Sequence, residues 1–288
     1  MDDLLPTLSR WLSPSAQFAF SLGRQLRDDR ITLIAAGVAF YALIAIFPTL
    51  LGLVSLFGFF LDPAQLTHLL SDLEELMPAE AYTLINAELT RLTSQGRSQL
   101  GVTTFVSLAV ALWGAGKGVR AMMSALNVAY REDETRGFFR LHLMSLGLTL
   151  GGLAMGVLML MTLILLPVAL KFLDWIPLLE AALKFARWPI MGAFLFMALA
   201  VLYRFGADRT QQPASLWRDW GALIAIGLWL AGSVGLSVYV SKIASYSATY
   251  QSLSAVIILM MWLWMSALVI LIGASINAQI EKANTCEM

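Results

Sequence analysis

The sequence predicts an all-α protein that crosses a membrane about six times. Hydrophobic residues make up 59% of the 288-residue chain and charged residues only 13%, whereas a soluble globular chain averages about 45–50% apolar and about 25% charged. The chain also contains six long apolar stretches, each near or above the ~20 residues that a helix needs to cross a bilayer. Lysines and arginines lie between these stretches or at their ends. Together these observations predict a polytopic α-helical membrane protein.

Residues 1–30 are predicted to form a cytoplasmic N-terminal segment that contains an interfacial helix. Ser13-Pro14 is typical of a helix start, and Phe18, Leu22 and Leu26 then recur at every fourth residue. This pattern predicts a helix that lies on the inner leaflet or packs on the inner face of the protein; the sequence favours both equally. Charged residues run through the segment, so no cleavable signal peptide is predicted.

The transmembrane domain is predicted to cover residues 31–288. Pro48 predicts a kink in the first span, because proline removes a backbone donor and crowds the preceding turn. The first, third and sixth spans are longer than a bilayer requires, so we expect them to tilt, kink or extend beyond the hydrocarbon. The six predicted spans are Ile31–Leu61, Leu100–Gly116, Leu143–Leu170, Pro189–Phe205, Gly221–Val240 and Leu253–Ile280.

Residues 62–99 separate the first two spans and predict an acidic helical hairpin on the periplasmic side. Asp62-Pro63 and Pro78 are typical helix starts, and each is followed by apolar residues at helical spacing. Six acids oppose two arginines in this insert. The hairpin is predicted to cap the outer mouth of the protein, and a solvated charged surface is the alternative for most of its carboxylates.

The distribution of basic residues predicts that both termini are cytoplasmic. With the N-terminus inside, 13 of the 19 lysines and arginines fall on the inner side, as the positive-inside rule expects. Lys117 and Arg120 follow the second span three residues apart, hence on one face of a helix. Their glycine-rich surroundings do not match a phosphate-binding loop. An interfacial anchor is the first interpretation, and a basic mouth of a pathway or a lipid-headgroup contact is the second.

Glycines spaced four apart predict close helix packing in the third span, where Gly147 and Gly151 are followed by Gly152 and Gly156. Gly232, Ser233 and Gly235 predict the same in the fifth span. These small-residue stripes also permit self-association into a homo-oligomer.

No catalytic, metal or cofactor site is predicted. The two histidines, His68 and His142, fall on opposite sides of the membrane, and the single cysteine, Cys286, has no partner for a disulfide. No nucleophile elbow occurs, and zero net charge without a basic tail gives no reason to expect a nucleic-acid partner. We therefore expect a protein that is not an enzyme and whose first partner is the lipid bilayer.

Three stretches resemble the YihY/BrkB family of bacterial inner-membrane proteins: Ala35–Leu56, Leu112–Glu132 and Tyr250–Glu281. They occur in the family's order and extend over nearly the whole chain. The resemblance implies a multi-pass protein of the cytoplasmic membrane, with suggested roles in solute export, lipid transport or envelope and serum resistance. The family once carried the name ribonuclease BN, but the residues supply no metal cluster and no basic, aromatic surface for that chemistry.

The resemblance also implies positions of functional interest. Ser275 departs from the family pattern, which usually has a glutamate there, and Gln279 stands where a second acid is common. This argues against a proton-coupled mechanism through that position. The matching residues are Tyr41 and Pro48 in the first stretch, Trp113, Lys117, Arg120, Asn127 and Tyr130 in the second, and Tyr250, Ser252, Trp262, Gly273 and Asn277 in the third.

Two functional hypotheses follow. The first is a transporter or exporter of a small polar or amphiphilic solute, or of a lipid, with a pathway between the first, second and sixth spans. The second is a scaffold for envelope assembly that moves no solute and binds a partner through the acidic hairpin. The residues predicted for the pathway are Tyr41, Pro48, Trp113, Lys117, Arg120, Asn127, Tyr250, Ser252, Ser275 and Asn277.

Overall fold

A computed structural model describes residues 14–60, 97–171, 177–209, 219–243 and 251–286, and these residues are helical apart from short connections. Residues 62–96 of the predicted hairpin and Tyr250 lie outside the described residues. The all-α fold class is confirmed. The helices are α1 (Pro14–Asp28), α2 (Ile31–Phe60), α3 (Arg97–Tyr130), α4 (Phe138–Lys171), α5 (Pro177–Gly206), α6 (Trp220–Ile243) and α7 (Gln251–Cys286).

Four segments of the described helices are long and apolar enough to cross a membrane: Phe138–Met159, Trp188–Gly206, Trp220–Ser241 and Val256–Lys282. They overlap the third to sixth predicted spans, and the third is the least well matched, since Phe138–Met159 compares with the predicted Leu143–Leu170. The first predicted span begins after a break, where Ala16–Asp28 and Ile31–Ile46 meet at 57°. The second lies within α3, of whose side chains only part are described. A multi-pass protein is thus confirmed, while the number six and the orientation of the termini stay predictions.

The helix break between α1 and α2 is built from backbone geometry. Arg30 adopts φ 50°, a left-handed conformation that ends a helix. The amide of Asp29 still donates to Gln25 O at 2.9 Å, and the amide of Leu33 donates to Arg30 O at 3.0 Å. Because α1 ends and α2 begins within these few residues, the chain changes direction without a loop.

The chain forms two compact units, Met1–Ala39 with Ala121–Met288, and Phe40–Arg120. The first unit has a core of apolar side chains from the start of α2, the end of α3 and helices α5 to α7. Ile31, Leu126, Tyr203 and Leu271 are fully buried in it. This core holds the ends of several helices together, and the polar side chains described below lie beside it.

Two glycines let α6 and α7 approach at backbone distance. A Cβ built on Gly273 would lie 2.5 Å from Tyr203 Oη and 2.6 Å from Gly221 O, and one on Gly221 would collide with Gly273 O. In the fifth span Gly232 packs closely against the Met265 side chain, as predicted, whereas a Cβ on Gly235 would meet nothing within 4 Å. The third-span glycines differ, because a Cβ on Gly147 would meet nothing within 4 Å. The α4 stripe therefore faces away from the described helices of this chain.

Candidate functional site

A cluster of charged and amide side chains, here called the polar cluster, lies at one end of the first unit. It forms where α3, α5 and α7 end and where α6 begins. Several of its side chains are buried although they are charged or strongly polar, which is rare unless such groups are paired. The polar cluster consists of Asn127, Glu134, Arg136, Asp208, Arg209, Asp219, Asn277 and Glu281.

Asn127 joins the connections that follow α3 and α5. Its side-chain Oδ1 accepts from the amide of Asp208 at 2.8 Å, and its Nδ2 donates to Glu134 Oε2 at 2.9 Å. Asp208 in turn accepts from the Thr135 amide at 2.7 Å and from the Thr135 hydroxyl at 2.6 Å. The buried Asn127 therefore holds two chain segments that are 81 residues apart.

Arg136 closes the end of α5. Its Nη1 donates to Phe205 O at 3.1 Å and its Nη2 to Gly206 O at 3.0 Å, so it satisfies two of the last carbonyls of that helix. The same guanidinium donates to Glu134 through Nε at 2.7 Å and Nη2 at 2.8 Å. This two-point pairing is the strongest geometry that arginine offers a carboxylate, and the Arg136 side chain is only 2% exposed.

Asp219 and Asn277 together cap the start of α6. Asp219 precedes the helix, and its Oδ1 accepts from the amide of Ala222 at 2.9 Å, as an N-cap residue does. Asn277 Oδ1 accepts from the amide of Gly221 at 2.8 Å, and Asn277 Nδ2 donates to Asp219 Oδ1 at 2.6 Å. The end of α7 thus supplies a second cap for α6, at the point where the glycines let the two backbones meet.

Arg209 is the second enclosed cation of the polar cluster, with a side chain 3% exposed. Its Nη1 donates to Glu281 Oε1 at 2.7 Å and its Nη2 donates to Tyr203 O at 2.6 Å. The guanidinium carbon lies 4.3 Å from the centroid of the Tyr130 ring, an attractive cation–π distance. Contacts from three helices, α3, α5 and α7, therefore hold this arginine. Its Nε is buried without an acceptor among the described residues.

Hydrogen bonds and nearby charges lower the pKa of two carboxyl groups of the polar cluster, Glu134 and Asp208. Hydrogen bonds from Arg136 lower the pKa of Glu134, with a smaller contribution from Asn127. Hydrogen bonds from the Thr135 hydroxyl lower the pKa of Asp208, helped by Arg136. Glu134 raises the pKa of Arg136, and burial raises the pKa of Tyr130. Near neutral pH Glu134, Asp208 and Arg136 are therefore charged, and Tyr130 is a neutral phenol.

Helix α1 is attached to this end of the unit through glutamines. The side chain of Gln25 donates from Nε2 to Ala129 O at 3.0 Å, and Gln279 donates from Nε2 to Gln25 Oε1 at 2.9 Å. Ser21 donates to Gln279 Oε1 at 3.1 Å. Of the two placements predicted for α1, packing on the protein is therefore observed, and the opposite face of the helix stays exposed.

The predicted pathway residues of the first unit are not equivalent. Asn127 and Asn277 belong to the polar cluster, where both cap or join backbone segments. Ser275 is fully buried, and its hydroxyl donates to Leu271 O of its own helix at 2.9 Å. Ser252 lies in α7 with its side chain outside the described part. In this conformation the described polar groups bind protein atoms.

The other predicted residues belong to the second unit. Tyr41 is 44% exposed and stacks edge-on with Phe40, and Pro48 lies inside the continuous helix α2 with its side chain outside the described part. Lys117 Nζ lies 3.8 Å from the Trp113 ring centroid, and Trp113 is 62% exposed. Arg120 is half-buried. Helix α3 does not end at these cations, as an anchor at a helix end requires, but continues to Tyr130.

Six charged residues of the polar cluster were not predicted: Glu134, Arg136, Asp208, Arg209, Asp219 and Glu281. Glu281 lies near the end of α7, and the first five lie in connections next to helix ends. The signal that was available is their position directly after α3 and α5 and directly before α6. No group of three or more histidine, cysteine, aspartate or glutamate side chains within the described ranges is arranged to hold a metal ion.

The apolar helices and the polar helix ends define a polytopic α-helical membrane protein. Residues 22–287 match the family described as Virulence factor BrkB, and the chain belongs to this family. The predicted resemblance is thereby confirmed.

Three bacterial proteins are similar to the chain. The ribonuclease-like protein YfkH of Bacillus subtilis is 31% identical over 256 residues, covering 86% of this chain and 89% of YfkH. A UPF0761 membrane protein of Vibrio campbellii is 25% identical over 96% of this chain and 85% of its own length. The UPF0761 membrane protein of an Azoarcus species is 26% identical, and the match covers 64% of that longer protein. No solved structure matches the chain.

Proposed function

We propose that this protein is a transporter of the bacterial cytoplasmic membrane that moves a polar or amphiphilic solute, a lipid included, and that the polar cluster is its closed inner gate. The observation that carries the proposal is Arg209. It is a buried cation that binds Glu281, the carbonyl of Tyr203 and the ring of Tyr130 at the meeting point of α3, α5 and α7.

The chemistry of the closure favours a gate over a permanent seal. Replacing a buried ion pair by apolar residues is often neutral or stabilising, so a buried pair is weak support for a purely structural role. When helix ends separate, charged and polar groups can replace their contacts by hydrogen bonds to water. Exposing apolar surface to water instead costs free energy. A closure made of ion pairs and amides therefore suits helix ends that open.

The unused donor of Arg209 supports the same interpretation. A buried N–H without an acceptor costs about 1–3 kcal/mol. Among the described residues Arg209 Nε has no acceptor, and the Arg209 side chain is only 3% exposed. Opening the helix ends would let water reach this donor. The unpaired donor therefore destabilises the closed form. This lowers the free energy that is needed to separate the helix ends.

Flux into vesicles tests the proposal. The purified protein is reconstituted into liposomes, and two probes are followed: flipping of a fluorescently labelled phospholipid and release of a trapped small polar dye. Arg209→Gln removes the Glu281 ion pair and the cation–π contact. If these contacts stabilise the closed form by about 2 kcal/mol, the ratio of open to closed protein rises up to about 30-fold. We expect faster flux of one probe class.

Arg131→Gln is the matched control. Arg131 lies at the same end of the unit and pairs with Asp29 at 3.1 Å, but its side chain is 54% exposed. The flux through the Arg131→Gln variant should therefore equal that of the wild type. Equal rates for Arg209→Gln and the wild type would contradict the gate. No flux of either probe with any correctly inserted variant, together with a bound envelope partner, would favour the scaffold hypothesis.

A further inference from the structure

The face of α1 that points away from the bundle combines an aromatic side chain with two arginines. Phe20, Arg24 and Arg27 recur at helical spacing, and all three are exposed. The Arg24 guanidinium lies 5.8 Å from the centroid of the Phe20 ring. We call these three residues the α1 outer face.

The contacts of α1 show which side of this helix faces the protein. Ser21 and Gln25 hold the helix to Gln279 and to the end of α3, and Gln25 is only 7% exposed. Phe20, Arg24 and Arg27 lie on a different side of the helix from Ser21 and Gln25. All three are exposed, so the α1 outer face is turned from the described helices. Helix α1 is also bent by 57° from α2, so it is not aligned with the first predicted span.

The described part of the chain does not neutralise the charge of the α1 outer face. Within the described ranges no carboxylate lies within 4.0 Å of Arg24 or Arg27, since the ion pairs there involve other residues. The nearby Asp29 carboxylate is bound to both Nε and Nη2 of Arg131. Asp28, the remaining acid of α1, is a single charge against two. The surface therefore complements an anionic partner.

We propose that the α1 outer face binds the anionic phospholipid headgroups of the membrane in which the protein lies. Arginines near an anionic leaflet and an aromatic ring at the headgroup level are the features of an interfacial helix. The neighbouring start of α4 agrees with this placement, since Phe138 is 71% and Phe139 88% exposed. The Asp29–Arg131 pair connects α1 to the segment that leads into α4. This inference goes beyond transport and does not depend on it.

Hydrogen exchange of the full-length protein in lipid nanodiscs tests this inference. Amide exchange of residues 16–28 is compared in phosphatidylcholine alone and in phosphatidylcholine mixed with phosphatidylglycerol. A bound α1 opens less often, so exchange should slow when the anionic lipid is present. Two arginines at about fivefold each give an upper limit of roughly 25-fold slowing at low salt. Raising salt from about 0.05 to about 0.5 M should remove most of it.

Two variants separate charge from fold. Arg24→Gln with Arg27→Gln should lose the lipid effect, and Arg24→Lys with Arg27→Lys should keep it because the charge is retained. The exchange of residues 256–282 in α7 reports whether each variant is folded. Equal exchange of wild-type α1 in both lipid mixtures, or an effect that is insensitive to salt, would overturn the proposal without requiring any variant. Loss of the effect in the lysine variant would also overturn it.

Discussion

Replacing Arg136 by methionine should destabilise the protein by about 2–4 kcal/mol. The substitution leaves Gly206 O buried without a donor and Phe205 O partly so, and each unpaired buried carbonyl costs about 1–3 kcal/mol. Glu134 contributes less, because its side chain is 31% exposed and can turn to water. Methionine fills a similar volume, so no large cavity adds to the loss.

Equilibrium unfolding in mixed detergent micelles measures this change. Arg131→Met is the control, because it also removes an arginine–carboxylate pair at the same end, but one whose arginine is 54% exposed; it should cost about 0–1 kcal/mol. An Arg136→Met protein within 0.5 kcal/mol of the control, a margin of about the error of such measurements, would refute the claim that Arg136 closes the end of α5.

Three further predictions concern packing, capping and pH. Gly273→Ala should lower the free energy of unfolding by about 1–3 kcal/mol through overpacking. At Gly147 a Cβ meets open space, so Gly147→Ala should be neutral or stabilising by up to about 1 kcal/mol. Thermal unfolding in detergent compares the two variants. Asn277→Leu should cost about 1–3 kcal/mol by uncapping α6, and slower amide exchange at Gly221 in this variant would contradict that. Glu134 and Asp208 have lowered pKa values in the folded protein. The stability that they contribute is therefore present above their ordinary pKa values of 4.5 and 3.8, and it is lost as the pH falls below these values. Unfolding titrations from neutral to acidic pH measure this loss of stability, which should be smaller in the Arg136→Met variant.

The fold was predictable because it follows from local patterns. Long apolar stretches predict the spans of α4 to α7, and Ser13-Pro14 predicts the start of α1 at Pro14. The length of α3 was not predictable from polarity. Lys117 and Arg120 are charged, but the residues beyond them, such as Met123 and Leu126, are fully buried by other helices. Where tertiary packing covers a helix, charges within it do not mark its end.

The polar cluster was predictable only in part. Asn127 and Asn277 were identified by resemblance, but their partners Asp208 and Gly221 are 81 and 56 residues away in sequence. No local pattern indicates such pairings. The packing of the glycines was likewise not predictable from the sequence. The α4 glycines and Gly273 all lie in apolar helices, but of these only Gly273 lies close to the backbone of another helix.

The central claim is that the helix ends at Arg209 and Glu281 separate during transport. A reversible cross-link between Arg209→Cys and Glu281→Cys, made with Cys286→Ser, measures this directly in the same vesicles before linking, after linking and after release. The two side chains meet at 2.7 Å, so a short thiol-specific linker can bridge them. We predict flux before linking, its loss on linking and its return on release. Flux that stays the same through all three steps would contradict the account.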